Sequence, residues 1–301
     1  MTRCHYLFAG LRIASELPLP EWTVFEEPEP FESDVTISYG RSEPSPPDAR
    51  EWPLVRPDEY RFVARDAGHY RICGGREIVV TPAPGAGDRE VRLFLLGSAL
   101  GALFYQRGLL CLHASVVRTD NWAVALCGPP GAGKSTFAAW LCEHGYRFVA
   151  DDLCRFECTA SRRAVVHPST PRLKLWRDAL TTMGRGPDAL VHDHRRAEKF
   201  HVAVHHDDAR RPVLLKAIYL LDWGRPDITR LRGLKALRQL VDLASYRADL
   251  LDRMGQTAAH WQRCRDLADC VKIFRFTRRR DTAELVETVQ FFRTHSEDGQ
   301  L

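Results

Sequence analysis

The chain has 301 residues, of which 45% are apolar and 27% charged. That is the balance of a folded globular protein, and it excludes collagen-like, wholly disordered and disulfide-scaffold classes. At about 150 residues per domain, the length suits one large domain or two ordinary ones. The formal net charge is only +4, but it is unevenly spread. Residues 1–90 hold 10 Arg, no Lys and 16 acids, whereas residues 91–301 hold 33 basic and 23 acidic residues. Halves of opposite sign indicate two functional parts, the second suited to an anionic ligand.

In chain order, Tyr6–Ile13 and Asp34–Tyr39 read as short strands around a Pro/Glu-rich connection. Nine of the 18 prolines fall between Pro18 and Pro57, which blocks interior strand pairing and helix propagation there. Tyr60–Ala64, His69–Ile72 and Glu77–Thr81 are further short strands, with Cys73-Gly-Gly as a turn signal. Pro82-Ala-Pro-Gly-Ala-Gly is the expected boundary. It separates a small strand-rich domain, residues 1–88, from a larger domain, residues 89–301.

Beyond it, Leu93–Gln106 reads as a mostly buried helix, and Leu109–Val117 and Trp122–Cys127 as buried strands joined at Thr119-Asp-Asn. The helix Ser135–His144 and the short strand Tyr146–Ala150, ending in two aspartates, follow. Phe200–Val204, Val213–Asp222 and Val271–Phe276 are later strands. Leu234–Leu243, Tyr246–Met254, Thr257–Ala268 and Thr282–Thr294 have helical spacing. Strands interleaved with helices predict an α/β core.

No apolar run reaches the roughly 20 residues of a membrane span. The start Met1-Thr-Arg-Cys-His-Tyr lacks the form of a secretory signal. Nine cysteines without a Cys-x-x-Cys pair fit reduced thiols and a cytoplasmic location. Neither a membrane nor nucleic acid is expected as a partner. Arg278-Arg-Arg, without interleaved aromatics, reads as a solvated strand end.

The chemistry concentrates in Gly128-Pro129-Pro130-Gly131-Ala132-Gly133-Lys134-Ser135-Thr136. This matches G-x-x-x-x-G-K-[ST], with an apolar strand running in and a helix running out. Glycines let backbone amides wrap phosphate oxygens, and the helix start presents partial positive charge. Lys134 would supply a full charge to the β- and γ-phosphates of ATP, and Ser135 a hydroxyl to Mg²⁺. Lys134 is the only lysine among the first 173 residues.

Asp151 and Asp152 follow Lys134 by 17 and 18 residues. One carboxylate at such a strand end can hold Mg²⁺, and another can accept a proton from an attacking hydroxyl. Adjacent strand residues point to opposite faces, so both serve one site only if the strand has ended and the chain turns. His113 alternates with apolar neighbours, which by itself is the pattern of a hydrogen-bonded core histidine. A hairpin with the next strand would bring it beside the loop.

Other families with this loop fit poorly. No Asn/Thr-Lys-x-Asp base-reading element marks a GTPase, and no Leu-Ser-Gly-Gly a transporter ATPase. Small-metabolite kinases of the shikimate kinase type open on the loop, whereas here 127 residues precede it.

Leu112-His-Ala-Ser-Val-Val, the glycine loop and Gly145-Tyr-Arg-Phe-Val-Ala-Asp-Asp together resemble the core of HPr kinase/phosphorylase over Leu110 to Asp152. Leu95-Leu-Gly-Ser-Ala-Leu-Gly-Ala-Leu, Gln106-Arg-Gly-Leu-Leu, Pro171-Arg-Leu-Lys-Leu-Trp, Glu198-Lys-Phe and Tyr246-Arg247 resemble a looser group of HPr-kinase-like proteins. Some of that group phosphorylate a serine of a ribosomally made precursor peptide, lasso peptides included. The resemblance implies a core of the HPr kinase/PEP carboxykinase type and transfer of the γ-phosphoryl of ATP to a serine of a peptide or small protein. It further implies ATP binding by Lys134 and the loop amides, Mg²⁺ on Ser135 with Asp151 and Asp152, Asp152 as general base, and His113 supporting the phosphates or the base. It also suggests a homo-oligomer.

Two departures weigh against phosphorolysis and against HPr as the acceptor. Thr136 stands where the bifunctional enzymes have an acid. The stretch Pro171-Arg-Leu-Lys-Leu-Trp is basic and aromatic where they have an acidic glycine-containing signature. The alternatives are a small-molecule kinase on the same core and a non-catalytic nucleotide-gated binding protein. Arg172 and Lys174 share one face of an extended segment and are candidates for holding an acidic acceptor. Lys199 can reach a phosphate or lie on the surface. The five histidines between His192 and His206 read as a solvated loop and strand edge.

Overall fold

The computed structural model describes residues 3–40, 53–186, 190–193, 196–204, 210–281 and 283–297. The chain is mixed α/β and forms two compact units, Met1–Cys111 with Tyr246–Gln262, and Leu112–Ser245 with Arg263–Leu301.

The first unit begins with β1 (Cys4–Phe8) and β2 (Leu11–Ser15). Ala9 and Gly10, at φ 51° and 71°, make the two-residue left-handed turn that matches strand twist. Tyr6–Ile13 is therefore a hairpin, not one strand. A 3₁₀ turn, Pro20–Phe25, places Trp22 flat on Phe8 with ring centroids 4.1 Å apart. β3 (Glu26–Glu27), β4 (Val35–Tyr39), β5 (Leu54–Val55), β6 (Glu59–Ala64), β7 (Gly68–Cys73) and β8 (Glu77–Pro82) complete one sheet. Its order is β3-β1-β2-β4-β8-β7-β6-β5. Phe62 and Tyr70 face each other in register and stack at 4.7 Å.

The run Pro82–Gly87 does not separate the units. It turns the chain into a helix formed by α1 (Asp88–Phe94), a π turn (Leu95–Ala99) and α2 (Leu100–Gln106), which belongs to the same unit. Tyr70 Oη donates to Val91 O at 2.8 Å, and the Gln106 side chain accepts from Gly75 N–H and donates to Ile72 O. The expected boundary at 88 thus lies within the first unit. The change comes at Cys111, inside β9 (Leu110–Arg118).

In the second unit β9 turns into β10 (Ala123–Cys127), which leads through the glycine loop to α3 (Lys134–Glu143). Then come β11 (Arg147–Cys158), β12 (Ala164–Val166), β13 (Arg172–Trp176), α4 (Arg177–Thr182), β14 (Val191–Asp193), β15 (Arg196–Ala203), β16 (Val213–Trp223), β17 (Asp227–Leu231) and α5 (Gly233–Ala244). α6 (Ala248–Arg253) and the first half of α7 (Thr257–Cys270) belong to the first unit, and β18 (Lys272–Arg278) and α8 (Leu285–Glu297) return to the second. The sheet order is β10-β9-β11-β12-β16-β18-β17, and β16 also pairs with β10. β10, β16 and β18 run parallel, so their carboxyl ends lie together, where ligands bind in open α/β sheets. β13, β15 and β14 form a separate small sheet.

The core of this unit joins Phe137 and Leu141 of α3, Tyr219 of β16, Phe274 and Phe276 of β18 and Phe292 of α8. Among the described residues no helix is long and apolar enough to cross a membrane. Phe292 is fully buried and packs edge-on against Phe137 and Tyr219. Phe292→Ala is expected to lower the unfolding free energy by about 3–5 kcal/mol, read from urea denaturation.

Candidate functional site

Two glycines fix the loop between β10 and α3. At Gly128, with φ 149°, a side chain would meet Leu221 O at 3.0 Å. At Gly133, with φ 75°, it would meet an Arg278 nitrogen at 2.7 Å. Any other residue at either position carries backbone strain, crowds the backbone at Gly128 and displaces the Arg278 guanidinium at Gly133. Pro129, Pro130 and Gly131 form the exposed crest, Ala132 is buried beneath it, and Ser135 and Thr136 lie on the first turn of α3. The Arg278 side chain holds the loop from below, donating to Ala132 O at 2.6 Å.

Lys134 is only 6% exposed and folds back over the loop. Its Nζ donates to Gly128 O at 2.8 Å and Pro129 O at 3.3 Å. Burial lowers its pKa. This is a desolvated cation held by two carbonyls of the glycine loop, a charge suited to an anion bound on the loop amides.

β9 and β10 are antiparallel, with Ala114 opposite Cys127. That register puts His113 next to the start of the loop, as the hairpin reading expects. Ser115 lies two residues along the same strand, hence on the same face.

The strand carrying the aspartates does not end at them. β11 continues to Cys158, but Asp152 adopts a left-handed backbone with φ 73°. This breaks the alternation locally, so both carboxylates join one group of side chains without a chain turn. Asp151 Oδ1 accepts from Ser115 Oγ at 2.6 Å and from Ser135 Oγ at 2.9 Å. Its own N–H donates to Ser169 Oγ at 3.0 Å, and Lys174 N–H reaches its Oδ2 at 3.4 Å. Asp152 Oδ2 accepts from Lys174 Nζ at 2.6 Å, and its Oδ1 lies 3.6 Å from His113 Nε2.

The two carboxylates therefore differ electrically. Burial, together with the neighbouring Asp152 charge, raises Asp151 above the usual carboxylate range despite its hydroxyl donors. Burial would raise Asp152 as well, but the ammonium of Lys174 and the fields of His113 and Lys199 outweigh it and hold it below that range. His113 is pushed down to about 4 by burial and then by Lys134, with Asp152 opposing. At neutral pH its imidazole is uncharged and can donate or accept.

Among the described residues no three His, Cys, Asp or Glu side chains group as a metal cage. Ser135 Oγ and the Asp151 carboxylate form a pair of hard oxygen donors. Such a pair fits a small divalent cation that takes its remaining ligands from phosphates and water. The close partners of Asp151 are hydroxyls and amides, while the nearby ammonium is engaged by Asp152.

Sequence reasoning overlooked Ser115 and Ser169. The period-two spacing of His113 and Ser115 was the signal for the first, and nothing local marks the second. Lys174, a candidate for holding an acidic acceptor, is paired to Asp152. Arg172 lies on the same strand face, its Nη1 3.4 Å from His201 Nδ1. Lys199 Nζ lies over the Trp176 ring at 5.7 Å. Of the histidine-rich stretch, His194, His205 and His206 lie outside the described residues, and His192 is exposed beside Phe200.

The expectation that Arg278 is solvated fails. It is 2% exposed, covered by Trp223 and Phe137, and burial pushes it down to about 10. Arg279 is exposed and pairs with Glu284.

His113 gives a pH prediction. Its pKa of about 4 in the folded chain lies below the roughly 6.5 of an unfolded histidine. In that window the unfolded chain binds the extra proton, so stability falls as the pH is lowered from about 6.5 towards 4. His113→Gln is expected to flatten part of that slope in urea unfolding measured at a series of pH values. An unchanged slope would contradict the half-buried neutral imidazole.

No family model matches the chain, and no curated protein matches it by sequence. Among solved structures it is similar to the HPr(Ser) kinase/phosphatase from Coxiella burnetii. The likeness is distant, with 12% identity and a TM-score of 0.31, over 63% of this chain and 99% of that one.

Proposed function

We propose that this chain is an ATP-dependent kinase that transfers the γ-phosphoryl group to a hydroxyl, that of a serine in a peptide or small protein. The observation that carries the reading is the left-handed Asp152, whose carboxylate stands between Lys174 and His113 in the side-chain group that reaches the glycine loop through Ser135. A loop that only bound nucleotide would need Lys134, but would have no use for a second carboxylate held ionised.

Lys134 and the amides of residues 128–136 would bind the β- and γ-phosphates. Mg²⁺, held by Ser135 and Asp151 with phosphate oxygens and water, would screen the charge that builds on the transferring group. The acceptor O–H would hydrogen-bond to Asp152, give it the proton and attack phosphorus in line as the bond to the β–γ bridging oxygen breaks, leaving ADP. In such a loose transition state the base need not be strong. Lys174 would shift part of its charge from Asp152 to the phosphoryl oxygens, raising the proton affinity of Asp152 as transfer proceeds. His113, neutral, would hydrogen-bond to the phosphates or to Asp152. The acceptor class rests on the motif resemblance in sequence.

The test is intact-mass analysis after incubation with ATP, Mg²⁺ and candidate acceptors, namely genome-neighbouring short peptides ending in serine, and HPr. A gain of one phosphoryl group on a peptide is expected. Asp152→Asn should slow transfer by about 10²-fold or more while ATP affinity stays within a few-fold, and Lys134→Ala should abolish binding. Transfer to a small hydroxyl compound without any peptide would instead make it a small-molecule kinase. Nucleotide-dependent partner binding without transfer would make it a nucleotide-gated binder.

A further inference from the structure

We propose that Trp223 is the stacking surface for the purine ring of the bound nucleotide, an inference that rests on the ATP-binding reading above. Trp223 ends β16, Arg278 ends β18, and the glycine loop leaves the end of β10, all at the carboxyl ends of parallel strands. At the loop, β10 pairs with β9, which is followed by β11, on one edge, and with β16, which is followed by β18, on the other. His113, Asp151 and Asp152 therefore stand on the β9/β11 side of the loop, and Trp223 and Arg278 on the other. A triphosphate lying across the loop with its γ-group towards Asp152 directs its nucleoside towards Trp223.

Trp223 suits that place. Its ring lies against the last loop glycine, since a Cβ on Gly133 would be 3.3–3.4 Å from the indole edge. It is nevertheless 36% exposed, which leaves aromatic surface open beside the exposed crest of the loop. The Arg278 guanidinium lies 4.1 Å from the ring centroid, and the exposed Arg280 lies 6.0 Å from it. Arg278 is built in: it bonds to the loop through Ala132 O, while its Nε and Nη1 are buried with no hydrogen-bond partner among the described residues. The positive charge of Arg278 beside the loop also favours the anionic part of a nucleotide. Arg280 is exposed to solvent, and stacking on an aromatic face suits any base.

The experiment is calorimetric titration of MgATP and of magnesium tripolyphosphate, which lacks the base, into the wild type, Trp223→Ala, Trp223→Phe and Lys134→Ala. Trp223→Ala is expected to weaken ATP binding by about tenfold or more and leave tripolyphosphate unchanged, which also shows that the variant is folded. Trp223→Phe should restore most of the affinity. Equal ATP affinity in the wild type and Trp223→Ala, or an equal loss for both ligands, would overturn the stacking while leaving ATP binding intact. Wild-type binding that is absent, or indifferent to Lys134→Ala, would overturn the nucleotide reading itself and the stacking with it.

Discussion

The site depends on one backbone constraint, the left-handed conformation of Asp152 within β11. Regular alternation would send the carboxylates of Asp151 and Asp152 to opposite faces of the strand. With φ at 73°, Asp151 reaches the hydroxyls of Ser115 and Ser135 while Asp152 reaches Lys174 and His113. A non-glycine residue in this region costs about 1–2 kcal/mol. The charge-assisted bond from Lys174 to its carboxylate contributes about 1.5–3 kcal/mol in the other direction. Lys174 also holds the Asp152 carboxylate ionised.

From that constraint follows a division of labour. Asp151 is surrounded closely by neutral donors, so its negative charge is the less compensated of the two and suits a divalent cation. Asp152 is neutralised by an ammonium that a transferring phosphoryl group could share. The loop separates this group from Trp223 and Arg278. Its own shape is enforced from below by Arg278, which excludes a side chain at Gly133 and ties down Ala132 O. The proposed kinase chemistry and base stacking therefore use opposite sides of one loop.

Much of this was legible in the sequence because it is local. The apolar strands either side of Thr119-Asp-Asn, the glycine loop and the helix after it follow from period and turn chemistry, and the hairpin register then places His113. What was not legible depends on partners distant in sequence or on dihedrals that residue type does not fix. Aspartate tolerates the left-handed region but does not announce it, so β11 looked as if it ended at Ala150. Arg278 stands in a run of three arginines, and Trp223, Phe137 and the glycine loop, all from other elements, cover it. The Pro/Gly run at 82–87 looked like a boundary because nothing local shows that the helix beyond it packs on the preceding sheet.

The most direct measurement is the Mg²⁺ dependence of ATP affinity in Asp151→Asn and Asp152→Asn, compared with the wild type. If the left-handed Asp152 gives the two carboxylates separate roles, one holding the cation and one accepting the proton, Asp151→Asn loses the enhancement of binding by Mg²⁺ and Asp152→Asn keeps it. Equal loss in both variants, or loss in Asp152→Asn alone, would contradict the account.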